Sequence, residues 1–248
     1  MMMSKPDQPF VAQQAVPAGV VATRWWWVRH APVRDDNGCI YGQKDIGCDT
    51  SDRVVMEAVG RILPRNAIWF ASNLKRTRQT AEAIWAAGYP QPGMLIQEAA
   101  FAEQNLGEWQ GLNRAAFFAS RPIEVGSYWF APIDEPAPGG ESFVDVYERV
   151  KRAVDRVNVE YAGRDVIVAS HGGTIKAAIA LALGGLVEKG LAFTIDNCSV
   201  TRLDHLASKD HSGWRLPMVN QQPWMADASH NAMHQPAGLE RASPTKLG

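Results

Sequence analysis

The chain has only three cysteines in 248 residues, Cys39, Cys48 and Cys198, and no CxxC spacing among them. A sparse, odd count excludes a disulfide framework and a structural zinc site, and it suits a reducing compartment, so a cytoplasmic location is expected. An excess of charge is also missing. The formal net charge is −1, which removes the global basic field of a nucleic-acid or anionic-membrane binder. Long hydrophobic runs are absent as well. The longest, residues 177–187, contains Gly184-Gly185 and falls far short of the roughly 20 residues a spanning helix needs. Near the N-terminus a weak apolar patch is interrupted by Gln13, Gln14 and Pro17, whereas a secretory signal requires a continuous one. No internal repeat of solenoid period is visible.

What is present is ordinary globular composition, 46% hydrophobic and 21% charged, which argues against disorder of the whole chain. The expected organisation is an N-terminal tail over residues 1–22, a domain over 23–220 and a C-terminal tail over 221–248. Apolar runs at 24–28, 67–72, 94–96 and 165–170 read as strands, as do weaker runs at 192–195, 199–203 and 214–218. Helical spacing marks 52–63, 74–87, 113–120, a segment from Ser142 and 174–183. Asn73 is the expected cap of the second helix, Gly88 its stop, and Ser142 with Asp145 a capping box. Residues 121–138, with four prolines around Tyr128-Trp129-Phe130, read as a long excursion of the kind that often carries function. Strands alternating with helices predict a three-layer α/β/α sandwich with a mostly parallel sheet, and ligands of such sheets bind beyond the carboxyl ends of the strands.

Three strands end in chemically suggestive residues. The first, with Trp25-Trp26-Trp27 expected as core, ends in Arg29-His30; the second runs into Ser72-Asn73-Leu74-Lys75-Arg76; a later one runs into Ser170-His171-Gly172-Gly173. A parallel sheet puts these ends on one edge, which then holds two imidazoles and several cations although the protein is nearly neutral. An anion such as phosphate suits that edge. Arg76 falls in the first turn of its helix, where the macrodipole disfavours a cation unless an anion is near. The glycines after His171 open a helix whose N–H groups can approach phosphate closely. Releasing an alcohol also requires a proton donor. Glu98, Glu103 and Glu108 are the loop candidates, and a carboxylic acid in that role needs an apolar cover, which Phe101, Trp109 and residues 128–130 offer.

These segments resemble the histidine phosphatase superfamily, also called phosphoglycerate mutase-like. Arg29-His30-Ala31 is similar to its Arg-His-Gly hallmark, with Ala31 in place of Gly; Ser72–Glu82 to its Ser-x-Leu-x-Arg-x-x-x-Thr-Ala element; Glu103-x-x-x-Gly107-x-Trp109-x-Gly111 to its acid loop; and Ser170-His171-Gly172-Gly173 to the second histidine. Gly38–Asp45 looks more like the α-ribazole phosphatase-type branch than the mutases, and Pro138–Ser142 also suits the phosphatase branches, although Asp45-Ile46-Gly47-Cys48 replaces the usual Asp-x-Pro-Leu.

The resemblance implies a phosphoglycerate mutase-like fold and a phosphoric monoester hydrolase that needs neither metal nor cofactor. His30 would be the nucleophile and Glu103 the proton donor. Arg29, Arg76 and His171 would hold the phosphoryl group, with Gly172, Asn37, Tyr41 and Gly42 on the phosphate or substrate side. The expected partner is a small phosphorylated substrate, with no nucleic acid or membrane; the oligomeric state is open, a homodimer being one option. A mutase that returns the phosphoryl group to a second position, and a non-catalytic phospho-ligand module, are the competing readings. His230 and His234 have a metal-ligand spacing, but with no partner ligands in sight they are not taken as a site.

Overall fold

The computed structural model describes residues 15–121 and 130–226. Six strands form one sheet in the order β3-β2-β4-β1-β5-β6. They are β1 Val21–Arg29, β2 Ile68–Ala71, β3 Leu95–Gln97, β4 Asp165–Ser170, β5 Val200–Ala207 and β6 Ser212–Gln221. The pairs β1–β4, β2–β4 and β2–β3 are parallel, while β5 runs antiparallel to both β1 and β6. Helices α1 Arg53–Ile62 and α2 Lys75–Ala86 pack with Val28, Trp69 and Ile167 on one face. On the other, α4 Phe143–Glu160 and α5 Gly172–Ala182 pack with Trp25, Trp27, Phe70 and Val168. The short helix α3 Arg114–Ala119 packs in a separate cluster with Ile40, Leu106 and Trp109, and the short α6 Val187–Gly190 sets Val187 against the α4–α5 side of the core. The expected layered α/β architecture is therefore the one observed.

Strand alternation sorts the three tryptophans. Trp25 and Trp27 are at most 1% exposed, stack at 5.5 Å and both meet the edge of Phe101. Trp26 points to the other face and is only half-buried there. Its indole donates to Asp165 Oδ1 at 2.9 Å, and the Arg202 guanidinium covers its ring. Trp26 thus packs against the core on the α1–α2 side but is only partly buried and also held by polar partners, a correction to the expectation of three core tryptophans.

Several boundaries also differ from expectation. Val21 and Ala22 belong to β1, because they pair with Ala207 and Leu206 of β5. At the far end Trp224, in a 3-10 turn over Pro223–Ala226, is buried against the α1 side of the sheet, so the domain continues past residue 221. Residues 192–195 form no strand. Ser142 and Asp145 do form the capping box of α4, and Asn113 caps α3.

Candidate active site

Sheet register brings the motif residues together. Arg29 of β1 lies opposite Ser170 of β4, and Ala71 of β2 opposite Ala169, so His30, Ser72 and His171 leave the sheet at one edge. The His30 and His171 rings are 5.2 Å apart, and both side chains are almost fully buried. His30 Nδ1 sits 2.7 Å from the Ala31 carbonyl. A carbonyl only accepts, so Nδ1 carries the ring proton and Nε2 keeps its lone pair. Burial, with Arg76 and Arg29 close by, holds His30 well below the ordinary value of 6.5. The ring is therefore neutral at neutral pH, with one nitrogen ready to attack.

Arg76 is fully buried and held by backbone. Nη1 donates to Lys44 O at 2.9 Å and Nη2 to Gly42 O at 2.7 Å, while Nε donates to His171 Nδ1 at 3.3 Å. Burial lowers its pKa from 12.5, and Glu103, Tyr41 and Asp45 act in the opposite direction; a guanidinium stays charged under such conditions. The carbonyl of Gly42 is presented from a left-handed turn (φ 44°), where a Cβ would stand 2.4 Å from Gln110 Oε1. The start of α2 is capped from afar: Lys75 N donates to Asp45 Oδ1 at 2.7 Å. The N-cap residue is Leu74, which offers no side-chain bond. Asn73 is thus not the cap, and Asp45 supplies a negative group near the dipole's positive end.

Arg29 and the end of β1 are gripped by residues 195–198, of which only Ile195 falls in the run at 192–195 expected to be a strand. Nη1 donates to Ile195 O at 2.6 Å, Cys198 N donates to Arg29 O at 3.0 Å, and Asn197 Nδ2 donates to His30 O at 2.8 Å. Irregular backbone is what allows these groups to face the end of β1. The only sequence signal was the turn-forming pair Asp196-Asn197. Arg29 Nε is buried with no hydrogen-bond partner among the described residues, and it lies 3.6 Å from where a Cβ on Gly172 would stand. A buried guanidinium N–H aimed at the start of α5 is a donor that an anion would satisfy.

The acid loop is fastened by hydrogen bonds between side chains and backbone. Glu103 accepts from Gln104 N at 3.0 Å through Oε1 and from Gly173 N at 3.4 Å through Oε2. Its own carbonyl accepts from Gln43 Nε2 at 2.8 Å and Arg149 Nη2 at 3.0 Å. Arg149 also pairs with Glu141, whose Oε1 accepts from Asn105 N at 2.8 Å. A Cβ on Gly140 would stand 2.3 Å from Asn105 O, which explains a glycine there. Glu141 and Arg149 were not singled out from sequence as supports of Glu103, because long-range ion pairs leave no local pattern. Glu98 instead pairs with Arg156, and Glu108 is exposed.

A cavity of about 560 Å³ opens at this edge, lined by Arg29, Tyr41, Gly42, Glu103, Gly172 and Lys176 among others. Of the residues expected at the site, His30, Arg76 and His171 do not reach this lining and sit immediately behind it, bonded or adjacent to Gly42, Arg29 and Gly172. Asn37 is placed elsewhere. It occupies an exposed left-handed turn (φ 51°), and its neighbour Asp36 lines the cavity, paired with Arg114 at 2.7 Å. Phe130 also lines the cavity; residues 122–129, His230 and His234 lie outside the described residues.

The family model for the histidine phosphatase superfamily (branch 1) matches residues 25–222. The chain belongs to the histidine phosphatase superfamily. A 2,3-bisphosphoglycerate-dependent phosphoglycerate mutase of Gloeobacter violaceus is 30% identical over 184 residues, 71% of this chain and 82% of that protein. A bifunctional protein of Mycobacterium tuberculosis is 43% identical over 131 residues, which is 53% of this chain but only 35% of its own length. Among solved structures, a mycobacterial glucosyl-3-phosphoglycerate phosphatase superposes with TM-score 0.65 at 27% identity, covering 80% of this chain and 99% of that one. Phosphatases and mutases thus both occur among the relatives.

Two buried histidines give this chain a defined acid sensitivity. His171, like His30, is held well below 6.5, by burial first and then by Arg76, His30, Arg149 and Arg29. The folded state therefore binds fewer protons than the unfolded chain once pH falls below about 6.5, and stability falls with it. Urea unfolding followed from pH 7.5 to 5 should show stability lost below that point, by up to about 2.7 kcal/mol per pH unit if both rings stay neutral. A flat profile over that window would contradict neutral buried rings.

Proposed function

We propose that the chain is a phosphomonoester hydrolase that works on a small phosphorylated metabolite through a phosphohistidine on His30, without a bound metal. The observation that carries this reading is the neutral His30 ring, its Nδ1 proton committed to Ala31 O, set among Arg29, Arg76 and His171. In the first step His30 Nε2 attacks phosphorus and the bond from phosphorus to the alcohol oxygen breaks, with Glu103 giving its proton to the departing oxygen. In the second, Glu103 takes a proton from water, whose oxygen attacks phosphorus. The P–N bond then breaks and His30 is regenerated. The two guanidiniums stabilise charge on the equatorial oxygens throughout.

The test is phosphate release from a panel of phosphomonoesters that includes α-ribazole phosphate, 3-phosphoglycerate and glucosyl-3-phosphoglycerate, with and without a chelator. Release that survives chelation is the expected result; loss that a divalent ion restores would overturn the metal-free mechanism. Isomerisation of 3-phosphoglycerate without net release would favour a mutase, and tight binding without turnover a recognition module. In kcat/KM, which reports the first step, Glu103→Gln should slow alkyl phosphates about 10²-fold while leaving p-nitrophenyl phosphate, whose leaving group needs no proton, much less affected. Equal slowing of both would remove Glu103 from the acid role.

A further inference from the structure

Away from the phosphoryl end, the cavity lining carries Asp36, Arg114 and Asp196. Arg114 Nη2 donates to Asp36 Oδ2 at 2.7 Å and to Cys39 O at 2.8 Å. Asp36 is itself fixed. Its Oδ1 accepts from Gly38 N at 2.9 Å and its carbonyl accepts from Cys39 N at 2.8 Å. These bonds close a tight turn in which Asn37 and Gly38 are both left-handed, with φ 51° and 69°. The bond from Arg114 holds the Asp36 carboxyl below the usual carboxylate range. The carboxylate is therefore charged at neutral pH and cancels the charge of Arg114. Asp196 Oδ2 accepts from Asn220 Nδ2 at 2.8 Å and from Gln222 Nε2 at 2.6 Å. Those amides are neutral and leave its negative charge standing.

Lys176 is a further cation of the lining, but it serves the phosphoryl end. It lies on α5 one turn beyond Gly172, and its Nζ donates to Leu191 O at 3.1 Å. Burial lowers its pKa, and the Glu103 carboxylate acts in the opposite direction. The two ends of the cavity meet at Tyr41, whose ring centroid is 5.2 Å from Arg76 Cζ and 5.9 Å from Arg114 Cζ. Asp36 and Arg114 thus stand one aromatic ring beyond the phosphoryl group, where the alcohol of a small phosphomonoester would lie.

A second phosphate or a carboxylate placed there would face two carboxylates and a guanidinium already neutralised by one of them, and like charges across a binding surface oppose association. An ammonium group would face Arg114 and Lys176. A hydroxyl meets neither objection. It donates to a carboxylate, which has roughly four acceptor positions, and accepts from a guanidinium, which has five N–H groups. We propose that Asp36 is a specificity-determining residue: by neutralising Arg114 it makes the cavity select an uncharged, hydroxyl-rich leaving group, so that the substrate is the monophosphate of a polyol or sugar and not a bisphosphate or a phosphorylated acid. Val33, Ile40, Leu106 and Phe130 also line the cavity and offer apolar surface to the C–H faces of such a molecule. The inference rests on the hydrolase reading above and deepens it by naming the substrate class.

Glycerol 3-phosphate and 3-phosphoglycerate make a matched test, because they differ only in a hydroxymethyl group against a carboxylate. For the intact chain, kcat/KM should favour glycerol 3-phosphate at least about tenfold, and phosphoethanolamine, whose leaving group is a cation, should also fall below it. Asp36→Asn keeps an acceptor for Gly38 N but removes the charge. It should move the ratio about tenfold toward 3-phosphoglycerate, with kcat/KM for that substrate rising. A merely structural Asp36 would slow both substrates alike and leave the ratio unmoved, which would overturn the assignment. A ratio near one in the unaltered chain, or a preference for 3-phosphoglycerate or phosphoethanolamine, would overturn the inference and leave the hydrolase reading standing. Absence of phosphate release from every phosphomonoester, p-nitrophenyl phosphate included, would overturn the hydrolase reading and the inference with it.

Discussion

Replacing His30 by alanine is expected to lower kcat/KM for any phosphomonoester substrate by at least about 10⁴-fold while the protein stays folded. No neighbour can stand in. His171 has its Nδ1 against Arg76 and its Nε2 against Ser72, so neither nitrogen is open for attack, and Glu103 is turned toward Gln104 N and Gly173 N. The structural cost is confined to the Ala31 carbonyl, which loses its donor at about 1–3 kcal/mol. The steep loss of stability at acid pH should also become shallower, because one of the two low-pKa rings is gone. Steady-state kinetics with circular dichroism on the same sample decides the matter; an active, folded His30→Ala protein would end the nucleophile assignment.

The second large effect is expected at Arg76. Arg76→Met should reduce kcat/KM about 10³-fold and should also lower the melting temperature, because the carbonyls of Gly42 and Lys44 and the Nδ1 of His171 all lose a donor. Each buried acceptor left alone costs about 1–3 kcal/mol. Arg76→Lys should rescue little. An ammonium cannot reach two carbonyls and an imidazole from one planar group, as the guanidinium does while its Cζ stands 5.2 Å over the Tyr41 ring. Phosphate affinity and thermal unfolding measured on both variants separate the catalytic from the structural part. A lysine variant with unimpaired turnover would show that only charge matters at this position.

Helix α4 was legible because its start is local chemistry: Ser142 and Asp145 are three residues apart and cap each other. The stop of α2 at Gly88 was legible because φ there is +110°, which glycine alone adopts readily. The start of α2 was not, since Asp45, thirty residues away in sequence, caps it in place of Asn73. The segment at 192–195 reads as a strand because its residues are apolar, yet the N–H groups of Ala192 and Phe193 donate to the turn carbonyls of Lys189 and Gly190, and the Ile195 carbonyl accepts from Arg29. Asn37 looked like a substrate residue from its place after His30, but a left-handed turn holds it at the surface while Asp36 and Arg114 face the cavity.

The sequence by itself determined the layered fold, the family and the residues at the three strand ends, because those are matters of hydrophobic period, turn residues and short motifs within a few positions of one another. Only the tertiary structure decided what the motif residues can do. It placed the proton of His30 on Nδ1, anchored Arg76 to the Gly42 and Lys44 carbonyls and tied the Glu103 loop to Arg149 and Glu141. It also ordered the chain from Arg76 through His171 to Ser72 and Thr77. The physical reason is that a tautomer, a buried charge and a directed hydrogen bond depend on which groups meet across the fold, and no spacing along the chain records that.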